Sequence, residues 1–202
     1  MTDTPRAGRI GADENGRRSP PEAGRLTSSR DAVGSDRRDR PTLVVLCGLP
    51  GVGKTTVAER IAARLDATLL RTDVVRKELF ADPAYTGTET RLVYDEVFER
   101  GRQPLERGHS VVLDGTFKLR RDRRRARTLA AELDAGFDLV HVECDEATVR
   151  ERIAGRVDDE SDADFRVHLT HRAEFERLSM AHVTIDTSAD RDATYRQIDR
   201  RF

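Results

Sequence analysis

Residues 41–56 read PTLVVLCGLPGVGKTT, and no other stretch limits so tightly what the chain can fold into. The apolar run over 42–47 suits a strand buried on both faces. Glycines at 48, 51 and 53 then let the backbone turn sharply, and Val57, Ala58, Ile61, Ala62 and Leu65 recur at helical spacing directly afterwards. A strand that passes through a glycine-rich turn into a helix starts a βα unit. Its successive amides and helix N-terminus point at one spot, where an anion is favoured.

The rest of the chain continues the alternation. Short β-like runs at ATLLRT (67–72), HSVVLD (109–114), FDLVHVE (137–143) and HVTID (182–186) are separated by helical patterns. In one such pattern Ala126, Leu129, Ala130 and Leu133 share a face, and Tyr195, Ile198 and Phe202 form a similar stripe at the end. Five strands with helices between them predict an α/β domain built on a five-stranded parallel sheet flanked by helices, covering residues 41–202. Residues 1–40 are rich in Gly, Pro, Ser, Arg and Asp without apolar periodicity, and are expected to form a disordered tail.

The segment from Gly48 to Lys54 and Thr55 matches G-x-x-x-x-G-K-[ST], the P-loop, in the strand-to-helix context that confirms it. Gly48, Leu49, Pro50, Gly51, Val52, Gly53, Lys54, Thr55 and Thr56 are therefore the expected nucleotide cradle. Lys54 would hold the β- and γ-phosphates, and the Thr55 hydroxyl would ligate Mg²⁺.

Further candidates lie at the ends of later strands, where ligands gather in open α/β sheets. RTDVVRK places Asp73 at the expected carboxyl end of the second strand and Arg76 one turn beyond. A carboxylate there can accept a hydroxyl proton, and an arginine can neutralise phosphate charge; the same pair would also suit a helix cap with a surface arginine. SVVLDGTF presents Asp114 as a Walker-B aspartate that orients the magnesium shell, with Thr116 either bonding substrate or capping the next helix. Arg152 and Arg156 fall four residues apart on one helix, ahead of the acidic stretch DDESDAD, an arrangement that suits a short mobile lid with arginines at its base.

Arg120, Arg121, Arg123, Arg124, Arg125 and Arg127 crowd one helix whose apolar stripe turns most of them to solvent. One or two could hold an anionic substrate, and a nucleic-acid backbone is the alternative. Against a dedicated nucleic-acid binder stands the formal net charge of -1. Cys47 and Cys144 lack metal or disulfide spacing, and the five histidines share no ligand pattern. With no long apolar run and no signal-peptide core, a cytoplasmic protein without a membrane span is expected. Nothing in the pattern specifies an oligomeric state.

Together, CGLPGVGKTT, RTDVVRK, LERGHSVVLDGTF and RERIAGR followed by SDAD resemble the P-loop kinases of the AAA-domain ATPase group, similar to polynucleotide kinase, zeta-toxin kinase, gluconate kinase and adenylylsulfate kinase. The resemblance spans about residues 42–188, including Tyr94 and the turn at Gly108. It implies a nucleoside-monophosphate-kinase-like P-loop NTPase fold with a short lid, and transfer of the ATP γ-phosphate to a hydroxyl of a small molecule. It also implies Asp73 as base, Arg76 as substrate or phosphate contact, Asp114 as magnesium or substrate carboxylate, and Arg152 and Arg156 as lid arginines. A kinase acting on nucleic-acid 5′-ends or tRNA, and an ATP-binding regulator without transferase activity, are the alternatives. A GTPase would need an Asn-Lys-x-Asp reader, yet the single asparagine is Asn15. Too little chain follows the fifth strand for the helical domain of a ring-forming motor.

Overall fold

A computed structural model of the chain describes residues 40–155 and 161–202. The tail expected over residues 1–40 therefore lies outside the described residues, except Arg40, whose guanidinium donates to the Asp134 carbonyl at 2.7 Å. In chain order the elements are β1 (Thr42–Cys47), α1 (Lys54–Leu65), β2 (Thr68–Arg71), α2 (Thr72–Leu79), α3 (Gly87–Glu106), β3 (Val111–Asp114), α4 (Arg120–Glu132), β4 (Gly136–Glu143), α5 (Glu146–Ala154), α6 (Ser161–Glu174), β5 (Val183–Asp186) and α7 (Arg191–Arg201).

The five strands form one parallel sheet in the order β2-β3-β1-β4-β5, as the alternating pattern predicts. β1 is central and is buried from Leu43 to Cys47. Its pleat sends Leu43, Val45 and Cys47 to one face and Val44 and Leu46 to the other, and each set joins a separate core. The first core packs Val93, Val97 and Phe98 of α3 and Ala126, Leu129 and Ala130 of α4 against the sheet. The second packs Val57, Ala58 and Ile61 of α1, Val149 and Ile153 of α5 and Ile198 of α7. Because strands are parallel and each connecting helix runs back against them, the N-terminal turns of α1, α3 and α4 all gather at the carboxyl edge of the sheet.

One local expectation needs correction. The second strand stops at Arg71, so Asp73 is not at a strand end but is the second residue of α2 and is exposed. A carboxylate in a helix's first turn faces the positive end of the helix dipole, which explains why the helix begins there. Of the six arginines from Arg120 to Arg127, most face solvent as expected, and Arg123 is the one that turns inward, 1% exposed in the core.

Arg123 donates to the carbonyls of Phe117 at 2.6 Å, Glu176 at 2.8 Å and Arg177 at 3.3 Å, and stacks over the Phe175 ring. The buried guanidinium thus fastens the loop before α4 to the segment after α6. Arg123→Met keeps the apolar volume but leaves these carbonyls without a donor. It should cost about 2–4 kcal/mol, read as a lower urea midpoint with an unchanged m-value. Arg124→Met, on the exposed face, should change stability by less than about 0.5 kcal/mol. Among the described residues no helix is long and apolar enough to cross a membrane.

Candidate active site

The loop between β1 and α1 is shaped by its neighbours. Gly48 has φ 150°, and a Cβ there would fall 2.4 Å from the Val142 carbonyl oxygen of β4, so no side chain fits without moving the sheet. Gly53, at φ 85°, is the N-cap of α1, a conformation that disfavours other residues. The Gly48 amide donates to the Thr116 carbonyl at 3.2 Å, which ties the P-loop to the segment leaving β3.

Lys54 and Thr55 open α1. The Lys54 ammonium donates to the Leu49 carbonyl at 2.8 Å, lying back over its own loop. The Thr55 hydroxyl donates to Asp114 Oδ2 at 2.9 Å. Asp114, the last residue of β3, is 6% exposed, and burial pushes its carboxyl above the ordinary range. Lys54, the Thr55 hydroxyl and Arg71 pull it back, while Asp73 repels it upward. A hydroxyl and a carboxylate side by side are hard oxygen donors, and such a pair fits a Mg²⁺ that keeps several of its waters.

Arg71 went unassigned at the level of sequence. It pairs in register with Asp114 across β2 and β3, and its Nε lies 3.7 Å from Asp114 Oδ2. Its Nη2 reaches the Thr55 hydroxyl at 3.5 Å. A buried Nε without a hydrogen-bond partner leaves this arginine with unused donor capacity beside the phosphate cradle. Its signal was the strand-end position, which puts a side chain at the ligand edge of the sheet.

Arg76 is 7% exposed and turned towards the start of α3. Its Nη2 donates to Thr90 Oγ1 at 3.3 Å, Nη1 lies 3.7 Å from Glu89 Oε2, and its guanidinium stacks over Tyr85. Tyr94 lies one turn further along α3. Its hydroxyl accepts from the Phe117 amide at 3.0 Å and lies 3.5 Å from Thr116 Oγ1. Burial pushes the Tyr94 phenol up to about 12. Thr116 caps no helix, since α4 starts at Arg120 with Leu119 at its N-cap.

Arg152 is held beneath the P-loop. It donates to the Thr187 carbonyl at 2.7 Å and to Thr187 Oγ1 at 3.2 Å, and that hydroxyl donates to the Val52 carbonyl at 2.7 Å. Arg156 and the first part of the acidic stretch lie outside the described residues. From Ser161 the chain is helical as α6, where a mobile segment was expected. His168 of α6 is 4% exposed and its Nδ1 donates to the Pro50 carbonyl of the P-loop at 2.7 Å. That contact joins residues far apart in sequence, so spacing alone gave no sign of it. Cys47 is core packing, its thiol pushed up to about 12 by burial.

A family model described as an AAA domain matches residues 43–178. Uncharacterized proteins of Mycobacterium tuberculosis and Mycobacterium bovis are each 32% identical over 170 residues, covering 77% of this chain but 33% of theirs. The chain thus spans about a third of the length of the curated relatives it matches. Among solved structures, the APS kinase of Mycobacterium tuberculosis in complex with AMPPNP and APS superposes with a TM-score of 0.64 at 18% identity, over 80% of this chain and 96% of that one. A gluconokinase from Sinorhizobium meliloti gives a TM-score of 0.59 at 21% identity, over 79% and 93%.

Proposed function

Because the chain belongs to the AAA-domain family and has the fold of P-loop kinases, we propose that it transfers the γ-phosphoryl group of ATP to a hydroxyl of a small molecule. The observation that carries this reading is the contact of Thr55 with Asp114 at 2.9 Å, beside Lys54 at the mouth of a glycine-shaped loop. Thr55 and Asp114 would hold Mg²⁺, which when bound neutralises charge on the phosphate oxygens.

The protein's own groups supply the rest. Backbone amides from Gly51 to Thr56 bind the phosphates, and Lys54 exchanges its contact with the Leu49 carbonyl for the γ-phosphate. Arg71 and Arg152 stand on either side of the cradle, and each adds fixed positive charge where negative charge develops in the transition state. Asp73, exposed in the first turn of α2, takes the proton of the acceptor hydroxyl. Arg76 braces α2 against α3 through Thr90 and so keeps Asp73 in place.

Label transfer from γ-labelled ATP to a panel of sugars, sugar acids, nucleosides, oligonucleotide 5′-ends and tRNA tests this reading. The expected result is transfer to a small hydroxyl compound that needs Mg²⁺. Transfer confined to the nucleic acids would replace the small acceptor with a nucleic-acid end. Nucleotide binding with no transfer to any of them would leave an ATP-binding regulator.

A further inference from the structure

At the carboxyl edge of the sheet, a cavity of about 250 Å³ opens between the first turns of α3 and the first turns of α4. Thr90, Arg91, Tyr94 and Asp95 line it from α3, and Arg121, Asp122 and Arg125 from α4. Its inner wall leads back to the P-loop. The Tyr94 hydroxyl accepts a hydrogen bond from the Phe117 amide, and the neighbouring Thr116 carbonyl accepts one from the Gly48 amide. The cavity shares no lining residue with the P-loop, so a molecule seated there leaves the nucleotide cradle free.

The charge of this cavity is unbalanced. Asp95 pairs with Arg125, which also stacks over Phe98, and Asp122 lies 3.4 Å from Arg121. Arg91 has no carboxylate within ion-pair distance among the described residues. A neighbouring concavity of about 590 Å³ shares Arg121 and Arg125 and adds Arg120, Arg124 and Glu176. The Glu176 carboxylate is already engaged by the Arg120 amide. Across the two hollows, five arginines therefore face three carboxylates, each of which has a partner. Arginines that line a hollow from two facing helices repel each other, and an anion that accepts from two of them offsets that repulsion while making charge-assisted bonds.

We propose that the cavity between α3 and α4 is the acceptor site and that the acceptor carries an anionic group, a phosphate or a carboxylate, held by Arg91 and Arg121. This rests on the kinase reading above and narrows its acceptor. The volume admits a small metabolite and is below the usual range for larger ligands, which favours a compact anionic alcohol over a folded nucleic acid.

The test separates the site from the reaction. Inorganic phosphate and, separately, acetate are titrated by calorimetry into the full chain with Mg²⁺ and AMPPNP at saturation, so that the P-loop is filled. Saturable binding of one of these anions is expected, and which one binds distinguishes a phosphate from a carboxylate. Arg91→Ala and Arg121→Ala should each weaken it by about tenfold or more. Both side chains are on the surface, so circular dichroism should match the wild type. Label transfer is then compared for glycerol with glycerol 3-phosphate and for glucose with gluconate and glucose 6-phosphate. The anionic member of a pair should be preferred, and the two substitutions should raise KM for it while leaving the KM for ATP unchanged.

No saturable anion binding, or binding that both substitutions leave intact, would overturn the proposal. So would equal use of neutral and anionic acceptors, or a preference for an oligonucleotide with a steep salt dependence. Anion binding lost in the two variants with no transfer to any compound would instead keep the site and remove the kinase reading.

Discussion

Lys54→Ala should lower phosphoryl transfer by at least about 10²- to 10³-fold, the loss typical when one preorganised charge is withdrawn from a transition state. Two effects of the same side chain add here. Its ammonium belongs to the first residue of α1, where the amide dipoles already favour an anion, so it adds a full positive charge to the cradle. It also lowers the pKa of the buried Asp114 carboxyl, and removing it would leave that carboxylate harder to keep ionised. The fold should be little affected, because Lys54 lies outside both cores and contacts its own loop through the Leu49 carbonyl. Turnover measured with saturating ATP and acceptor, alongside circular dichroism, decides the matter. A variant that keeps near-normal turnover would remove Lys54 from the chemistry.

What the sequence made legible follows from how local each signal is. β1 was bounded correctly at both ends, since a continuous apolar run followed by glycines leaves no freedom in where the strand stops. Asp114 was placed for a related reason: the positions before it are buried, and the carboxylate marks where the strand leaves the core. The contacts between distant segments were not legible. Arg71 meets Asp114 only through the pairing of β2 with β3, and His168 meets Pro50 only through the docking of α6.

Arg123 is an instructive intermediate case. Its position three residues before Ala126 puts it on the same helix face as the apolar stripe, so the period did mark it as inward. The run of arginines around it obscured that mark, because charge at such density reads as a solvated surface. Asp73 shows the reverse error. Thr72 suits a strand by propensity, yet it begins a helix once β2 has run out of partner residues on β3, and the carboxylate follows it round the turn.

Asp73→Asn and Asp114→Asn should fail in different ways. Asp73 is exposed at the start of α2 and, in the proposed mechanism, takes the acceptor proton. Losing a general base costs about 10²- to 10⁴-fold, so Asp73→Asn should depress kcat strongly and leave the binding of Mg²⁺ with ATP nearly unchanged. Asp114 is buried against the Thr55 hydroxyl and Arg71, which suits a group that holds a cation and hardly suits one that must meet an incoming hydroxyl. Asp114→Asn keeps the shape and an oxygen for Thr55 but removes the charge, so it should raise the magnesium requirement. Asp73 pushes the Asp114 carboxyl upward, so Asp73→Asn also makes Asp114 easier to ionise. That coupling makes the double variant informative: independent roles predict that their effects on kcat multiply, whereas a shared role predicts less. Both variants are titrated with metal at saturating ATP, and nucleotide binding is measured separately by calorimetry. Near-normal kcat in Asp73→Asn, together with a lost kcat and unaltered metal dependence in Asp114→Asn, would make the buried carboxylate the base and leave Asp73 a helix-terminal charge.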